Sequence, residues 1–394
     1  MSEINFYQGT RNLFNVGEKE DTDQITTIRT KIAELFKLKN VFFLFGSGTS
    51  SGAIPIMSEL HQKVIDKVNQ VGGVELEILQ SIKQEIDNFE QLLGILYAQQ
   101  TYLKNQIEPD TVMCEGCDNL IKIIECTIFE EINVDISENQ EVLEIYKSFY
   151  RKVSLRNKDL SRICVFTTNN DLFNESALDS INVNYINGFS GGLNRYFNPA
   201  FFNYSFSKRM DTSMNKYEEV ENIIYLYKLH GSINWIEDDT NRNAFFDISE
   251  VVSRTHIEYQ KNSNTLIYPT PTKQNKSLGT PYTELFREFQ KKMLEPHSVL
   301  FVIGYGFNDE HVNHVIHQAL ATNSSLIVVI FKELSNEVKL GKIDESRIFK
   351  IWGKSGGDKI THFDFIVKNF LQDVSSINDS KDILEAFINS LKEQ

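Results

Sequence analysis

Apolar residues along this chain follow two rhythms. Mostly apolar runs at 41–45, 162–168, 223–229, 298–304 and 325–331 lack polar alternation, the pattern of strands covered on both faces in a parallel sheet. Between them apolar positions recur three or four apart. Ile28, Ile32, Leu35 and Leu38 predict a helix over 25–38. Leu79, Ile82, Ile86, Phe89, Leu93 and Leu96 supply one packing face within a long helical region over 58–106. Further helices are predicted over 118–131, 138–152, 283–293 and 310–321. Ile383, Leu384, Phe387, Ile388 and Leu391 predict a last amphipathic helix. Shorter strands are expected at 183–186 and 266–271. Residues 1–24 are polar without periodicity and read as an arm.

The alternation predicts an α/β protein built on a Rossmann-like parallel sheet. The helices over about 58–155 interrupt it and read as a module inserted after the first strand–helix unit. The expected division is an arm at 1–24, a main domain at 25–335 and a C-terminal extension at 336–394.

Charge and composition narrow the picture. Forty basic against 54 acidic residues give a net charge of −14, which does not favour direct nucleic-acid binding. No basic-then-apolar leader and no membrane-length apolar run is present, so a cytoplasmic location without a membrane partner is expected. Cys114, Cys117, Cys126 and Cys164 are then expected as thiols. Cys114 and Cys117 have the spacing of half a zinc site, but no second pair follows, so no structural zinc is expected. His311, His314 and His317 recur on one helical face, which reads as solvated rather than metal-binding.

The apolar strands end in a distinctive way. Gly46, Asn169, His230 and Gly304 each follow one, and the carboxyl ends of a parallel sheet are where ligands bind. Gly46, Ser47 and Gly48, followed by Thr49 and Ser50, would let backbone N–H groups approach an anion; the plain alternative is a tight turn. Asn169, Asn170 and Asp171 could be a turn or cap, His230 a loop histidine, Gly304-Tyr305-Gly306 a turn, and Asp309 the cap of the helix that follows.

Four motifs in this order, GSGTSSGAIP (46–55), TTNND (167–171), LHGS (229–232) and VIGYGFNDEHV with SLIVVIF (302–331), resemble the sirtuin fold. Two departures stand out. Ile56, Met57 and Ser58 follow Pro55 where a deacylase carries Asp-Phe-Arg, and no four-cysteine ribbon follows His230. The pattern, with GFSGGLNRYFNP (188–199), is closer to the sirtuin-like NAD hydrolases of bacterial antiphage defence. It most resembles the subunit that pairs with a HerA-type hexameric ATPase.

That resemblance implies NAD as substrate, cleaved to nicotinamide and ADP-ribose. Asn169 would orient the ribose and water, and His230 would be the base. Gly46, Ser47, Gly48, Thr49 and Ser50 would face the pyrophosphate. Asp171 would help fix the ribose or the nicotinamide, and Gly304, Tyr305, Gly306 and Asp309 would contact the adenosine half. Activation by a partner or by homo-oligomer assembly is expected with it. Two other classes stay open: an NAD-dependent protein deacylase or ADP-ribosyltransferase, and a non-catalytic scaffold sensing NAD or ADP-ribose.

Overall fold

The computed structural model describes residues 3–14, 21–55, 57–82, 89–154, 156–157, 159–211, 216–237, 246, 248–251, 264–266, 281–334 and 338–371. The first apolar run becomes the strand Asn40–Phe45, buried at every position. Alternate side chains of a strand point to opposite faces, so an all-apolar strand needs cover on both. Phe43 and Phe45 pack on one face with Phe149 (4.9 and 5.1 Å between ring centres), and Phe42 meets Phe166 on the other. Truncating one such ring costs about 3–5 kcal/mol.

Among the described residues the main sheet has ten strands. Its path runs Arg11–Asn12, Glu3–Gln8, Ile348–Ser355, Leu326–Ile330, Ser298–Ile303, Asn40–Phe45, Ile163–Thr167, Ile223–Lys228 and Asn184–Ile186, with Asp358–Lys359 paired beside the path. From Ile348–Ser355 to Asn184–Ile186 every neighbour is parallel. The α/β expectation with a Rossmann-like parallel sheet is met. Strand Asn40–Phe45 lies where chain order reverses, with Ile163–Thr167 on one side and Ser298–Ile303 on the other. Such a switch point opens a crevice at the carboxyl edge. The register aligns Ile303 with Phe45, Phe45 with Thr167 and Thr167 with Lys228, so all four candidate loops leave the sheet at one edge.

The helical insertion divides differently from expectation. Met57–Val71, Gly73–Ser81, Phe89–Lys104 and Thr111–Ile132 share a core of their own, including Val64, Leu93, Leu96, Leu120 and Ile124. Gln140–Ser154 does not join them. Its Tyr146, Phe149 and Tyr150 pack into the main core with Phe45 and Phe363, so the module ends before this helix. Aromatic rings at helical spacing fit either core, and the sequence does not say which.

Residues on both sides of the expected main domain join its sheet. Residues 3–8, expected within an arm, pair antiparallel with 349–354, and Ile4 and Phe6 enter the core. Two alternating apolar residues are too few to register as a strand period. Residues 338–371, expected as an extension, supply Ile348–Ser355 to the same sheet and the helix Phe363–Asn369 to the same core. A boundary at 335 would cut through that core.

A second sheet follows the aromatic stretch. Asn264–Leu266, Gly231–Glu237, Ile248–Glu250, Arg195–Phe197 and Phe189–Ser190 pair antiparallel around Trp235, whose ring centre is 5.0 Å from that of Phe189. The strand expected over 266–271 is described only at Leu266, and Ile56, Ile86 and the helix expected through 383–391 lie outside the described residues. Among the described residues no helix is long and apolar enough to cross a membrane.

Candidate functional site

The strand-end loops are tied to one another by main-chain bonds. Gly46 N donates to Ile303 O (3.1 Å), Gly48 N to Gly304 O (2.9 Å) and Thr49 N to Gly46 O (3.0 Å). A Cβ on Gly46 would stand 2.5 Å from Tyr305 Cα, and one on Gly48 2.8 Å from Gly304 Cα. Gly304 itself has φ +65°, a left-handed conformation that favours glycine. The glycines therefore let two neighbouring loops touch. The anion cradle expected at Gly46–Ser50 is already partly occupied, because three of its N–H groups donate to protein carbonyls. Ser47, in the short turn Ser47–Ser50, is the exposed residue of the loop.

Behind this turn lies a buried polar cluster. Asn169 Nδ2 donates to Thr49 Oγ1 (3.1 Å) and Ser50 Oγ (3.2 Å). Ser50 Oγ donates to Asp171 Oδ2 at 2.7 Å, while Asp171 Oδ1 accepts from Phe173 N at 3.0 Å. Tyr146 completes the cluster from the helix Gln140–Ser154, its hydroxyl 2.7 Å from Thr49 Oγ1 and 3.0 Å from Ser50 Oγ. Burial holds the Tyr146 phenol above its ordinary range, so it stays a neutral hydroxyl. Sequence reasoning missed Tyr146, which reads as one more aromatic on an amphipathic helix. Asn169, Asp171, Thr49 and Ser50, by contrast, are brought together as a group.

His230 is on the next loop over. Asn170 Nδ2 donates to His230 O (2.8 Å) and Gly231 O (3.2 Å), binding the two strand-end loops. His230 Nε2 lies 2.7 Å from Asp309 Oδ2. The other oxygen of Asp309 accepts from His311 N (2.8 Å) and Val312 N (3.2 Å), capping the helix Glu310–Thr322. One carboxylate thus caps a helix and faces an imidazole. A base oriented by a carboxylate is a recurring arrangement for moving a proton at neutral pH. Asp309, expected toward an adenosine, is spent on His230 and on its cap.

The Gly304–Asp309 loop also turns inward. The Tyr305 ring is buried beside Phe307 (5.0 Å), and its hydroxyl donates to Asp309 O (3.1 Å) and Asn313 Oδ1 (3.2 Å). What Tyr305 offers a ligand is its main chain. Phe307 holds φ +63°, strained for a bulky side chain, and Gly306 O accepts from Lys332 Nζ at 3.0 Å.

A buried ion pair unforeseen in the sequence stands beneath Asp171. Lys228 Nζ lies 3.0 Å from Glu175 Oε1, and donates to Ser232 Oγ (2.7 Å) and to Asp171 O. Burial pushes the Glu175 carboxyl up, opposed by Lys228. A lysine inside the run IIYLYK was the available signal. Among the described residues no three His, Cys, Asp or Glu side chains are grouped to share a metal ion.

Residues 163–357 match a SIR2-like domain. The SIR2-like match takes in Asn169, Asp171, His230, Gly304 and Asp309, and leaves Gly46–Ser50 and the helices from 57 to 154 outside it. Two solved structures are similar over most of the chain. One, described as the basis for the mechanism and regulation of Sir2 enzymes, is 11% identical with a TM-score of 0.42, covering 92% of this chain and 100% of that one. The other, a Sir2 homologue mutant in complex with ADP-ribose, is 11% identical with a TM-score of 0.37, covering 88% and 96%. No curated protein matches the chain.

Proposed function

We propose that this chain cleaves NAD to nicotinamide and ADP-ribose at the carboxyl edge of its parallel sheet. The observation that carries the reading is the His230–Asp309 pair, one loop from the buried Asn169 cluster, within a SIR2-like match. A SIR2-like domain supports an NAD-utilising function.

The chemistry asks little of a protein. Breaking the bond to nicotinamide puts oxocarbenium character on the ribose, as in glycoside hydrolysis, and the cationic leaving group needs no acid. The site supplies orientation and a base. Asn169 orients the ribose and the water, and His230 takes the proton with Asp309 fixing its ring. Asp171 bounds the ribose or nicotinamide side. The main chain of Ser47 and of Gly304-Tyr305-Gly306 faces the rest of the dinucleotide.

The biological setting follows from the resemblance to antiphage NAD hydrolases. The chain acts in abortive infection, and is switched on by homo-oligomer assembly or by a HerA-type ATPase partner. Such an enzyme left permanently on would exhaust the NAD of its own cell.

The test is nicotinamide release from NAD by the purified chain, alone and with candidate partners, beside Asn169→Ala and His230→Ala. Loss of release in both variants supports the assignment. Unchanged hydrolysis in both removes the catalytic residues. Product that forms only with an acyl-lysine peptide would make the chain a deacylase, and tight NAD binding without turnover under every condition would make it a sensor.

A further inference from the structure

The direction of the Asn169 amide follows from the protons available in the cluster behind it. Asp171 Oδ2 is a carboxylate oxygen and only accepts, so Ser50 Oγ, 2.7 Å away, gives it its single proton. Gly46 O likewise only accepts, and Thr49 Oγ1 donates to it at 2.9 Å. Neither hydroxyl has a second proton to give. The Asn169 atom 3.1 Å from Thr49 Oγ1 and 3.2 Å from Ser50 Oγ is therefore the nitrogen, whose two N–H groups meet two acceptors.

The same reasoning fixes the role of Tyr146, which comes from the helix Gln140–Ser154, outside the SIR2-like match. Its hydroxyl lies 2.7 Å from Thr49 Oγ1 and 3.0 Å from Ser50 Oγ, in a fully buried setting. Both neighbours have given their protons away, so Tyr146 is the donor. Burial raises its phenol, which keeps that proton in place at neutral pH. The ring is clamped as well, stacked on Phe173 (5.8 Å between ring centres) and edge-on to Phe363 (5.1 Å). A rigid donor thus holds two rotatable hydroxyls in the orientation that receives Asn169 Nδ2.

The amide atom that remains is Oδ1. Asn169 is 8% exposed, and among the described residues nothing donates to this oxygen. It keeps accessible surface, unlike the sealed acceptors Glu175 Oε2 and Asn234 Oδ1. A nitrogen left open would ask a ligand for an acceptor such as a phosphate oxygen. An oxygen left open asks for a donor.

We infer that Tyr146 is a positioning residue for Asn169: it holds Thr49 and Ser50 as acceptors, they take the amide nitrogen, and the amide oxygen is the end left for a ligand. The group received at Asn169 is then a hydrogen-bond donor, a ribose hydroxyl or a water. The inference deepens the NAD reading and rests on it only for naming that donor and for the effect on turnover. The direction of the amide stands by itself.

NMR of the full chain, labelled with nitrogen-15 at asparagine alone, tests the arrangement. The side-chain NH2 signal of Asn169 is the one missing from Asn169→Asp. Its exchange with water should be about tenfold or more slower than that of the exposed Asn203, and should quicken about tenfold in Tyr146→Phe, which keeps the clamped ring. Nicotinamide release supplies a second readout. Tyr146→Phe should lower kcat about tenfold and leave KM for NAD within about twofold, a split that general destabilisation would not give. Exchange at Asn169 as fast as at Asn203, exchange unchanged in Tyr146→Phe, or an unchanged kcat in that variant would each overturn the inference. A parent chain that releases no nicotinamide with any candidate partner would sink the NAD reading instead, and the exchange rates would still decide the role of Tyr146.

Discussion

Asp309 serves His230 and the helix behind it at once: Oδ2 is 2.7 Å from His230 Nε2, while Oδ1 accepts the N–H groups of His311 and Val312. The two duties are separable by substitution. Asp309→Asn keeps a side-chain acceptor for the cap and removes the charge facing the imidazole. Under the proposed mechanism nicotinamide release falls by roughly one to two powers of ten with the melting temperature nearly unchanged. Asp309→Ala loses both and gives up a further ~1 kcal/mol of stability. Initial rates and thermal melts of the two variants check this.

Tyr146 reaches the cluster from a helix outside the SIR2-like match. Tyr146→Phe leaves the ring stacking on Phe173 (5.8 Å) intact and removes the hydroxyl beside Thr49 and Ser50. Stability should drop by about 1–2 kcal/mol, because both hydroxyls lose a buried partner. Urea unfolding followed by circular dichroism measures it. A change below a few tenths of a kcal/mol would mean that the two hydroxyls find other partners.

Contact between the glycine loops predicts intolerance to the smallest side chain. Gly304→Ala places a Cβ 2.6 Å from Thr49 N on a backbone with φ +65°, and Gly46→Ala places one 2.5 Å from Tyr305 Cα. Backbone on both sides cannot move aside as a side chain would. Each variant should lose several kcal/mol, on the scale of severe core changes, and melt well below the parent. Gly192→Ala, with open space around its Cβ, is the control expected to lose little.

Cysteine chemistry gives an alkaline prediction. Burial, with Asp118 adding to it, pushes the Cys117 thiol up to about 11, and burial pushes Cys164 up to about 12. Both remain thiols at pH 8, so native protein should alkylate slowly at these two positions and rapidly once unfolded. The unfolded chain loses its thiol protons near pH 9 and the folded chain does not. The unfolded state therefore gains stability from pH 9 upward, and that part of the folding stability is fully present below pH 9 and is lost as pH rises through 11. Mass-spectrometric labelling at pH 8 and melts from pH 8 to 11 read the two effects, and Cys117→Ala should flatten the alkaline fall.

What was legible in the sequence follows from how much signal each element carries. Asn40–Phe45 and Ser298–Ile303 are buried on both faces, so their composition alone marks them as parallel strands, and the loops after them fall at one edge by topology. Asn169, Thr49, Ser50 and Asp171 are found together for that reason. Strand Glu3–Gln8 offers only two alternating apolar residues, and the two- and three-residue strands around Trp235 are too short to set a period. The pairing of His230 with Asp309, and of Lys228 with Glu175, depends on side-chain directions across distant loops. Tyr146 was hidden because a buried tyrosine on a helix looks the same whether its hydroxyl serves packing or a polar cluster.

The antiparallel seam between Glu3–Gln8 and Ile348–Ser355 has a consequence for the order of folding. Glu3 pairs with Lys354, a separation that spans most of the sequence. A nascent chain halted anywhere before residue 348 leaves Ile4 and Phe6 without their partner strand, so this seam closes only after the sheet's other side has emerged. Pairings so distant in sequence carry a large loop-closure cost and form late. Glu3–Gln8 is made before Ile348–Ser355, yet its place in the sheet is among the last to be taken.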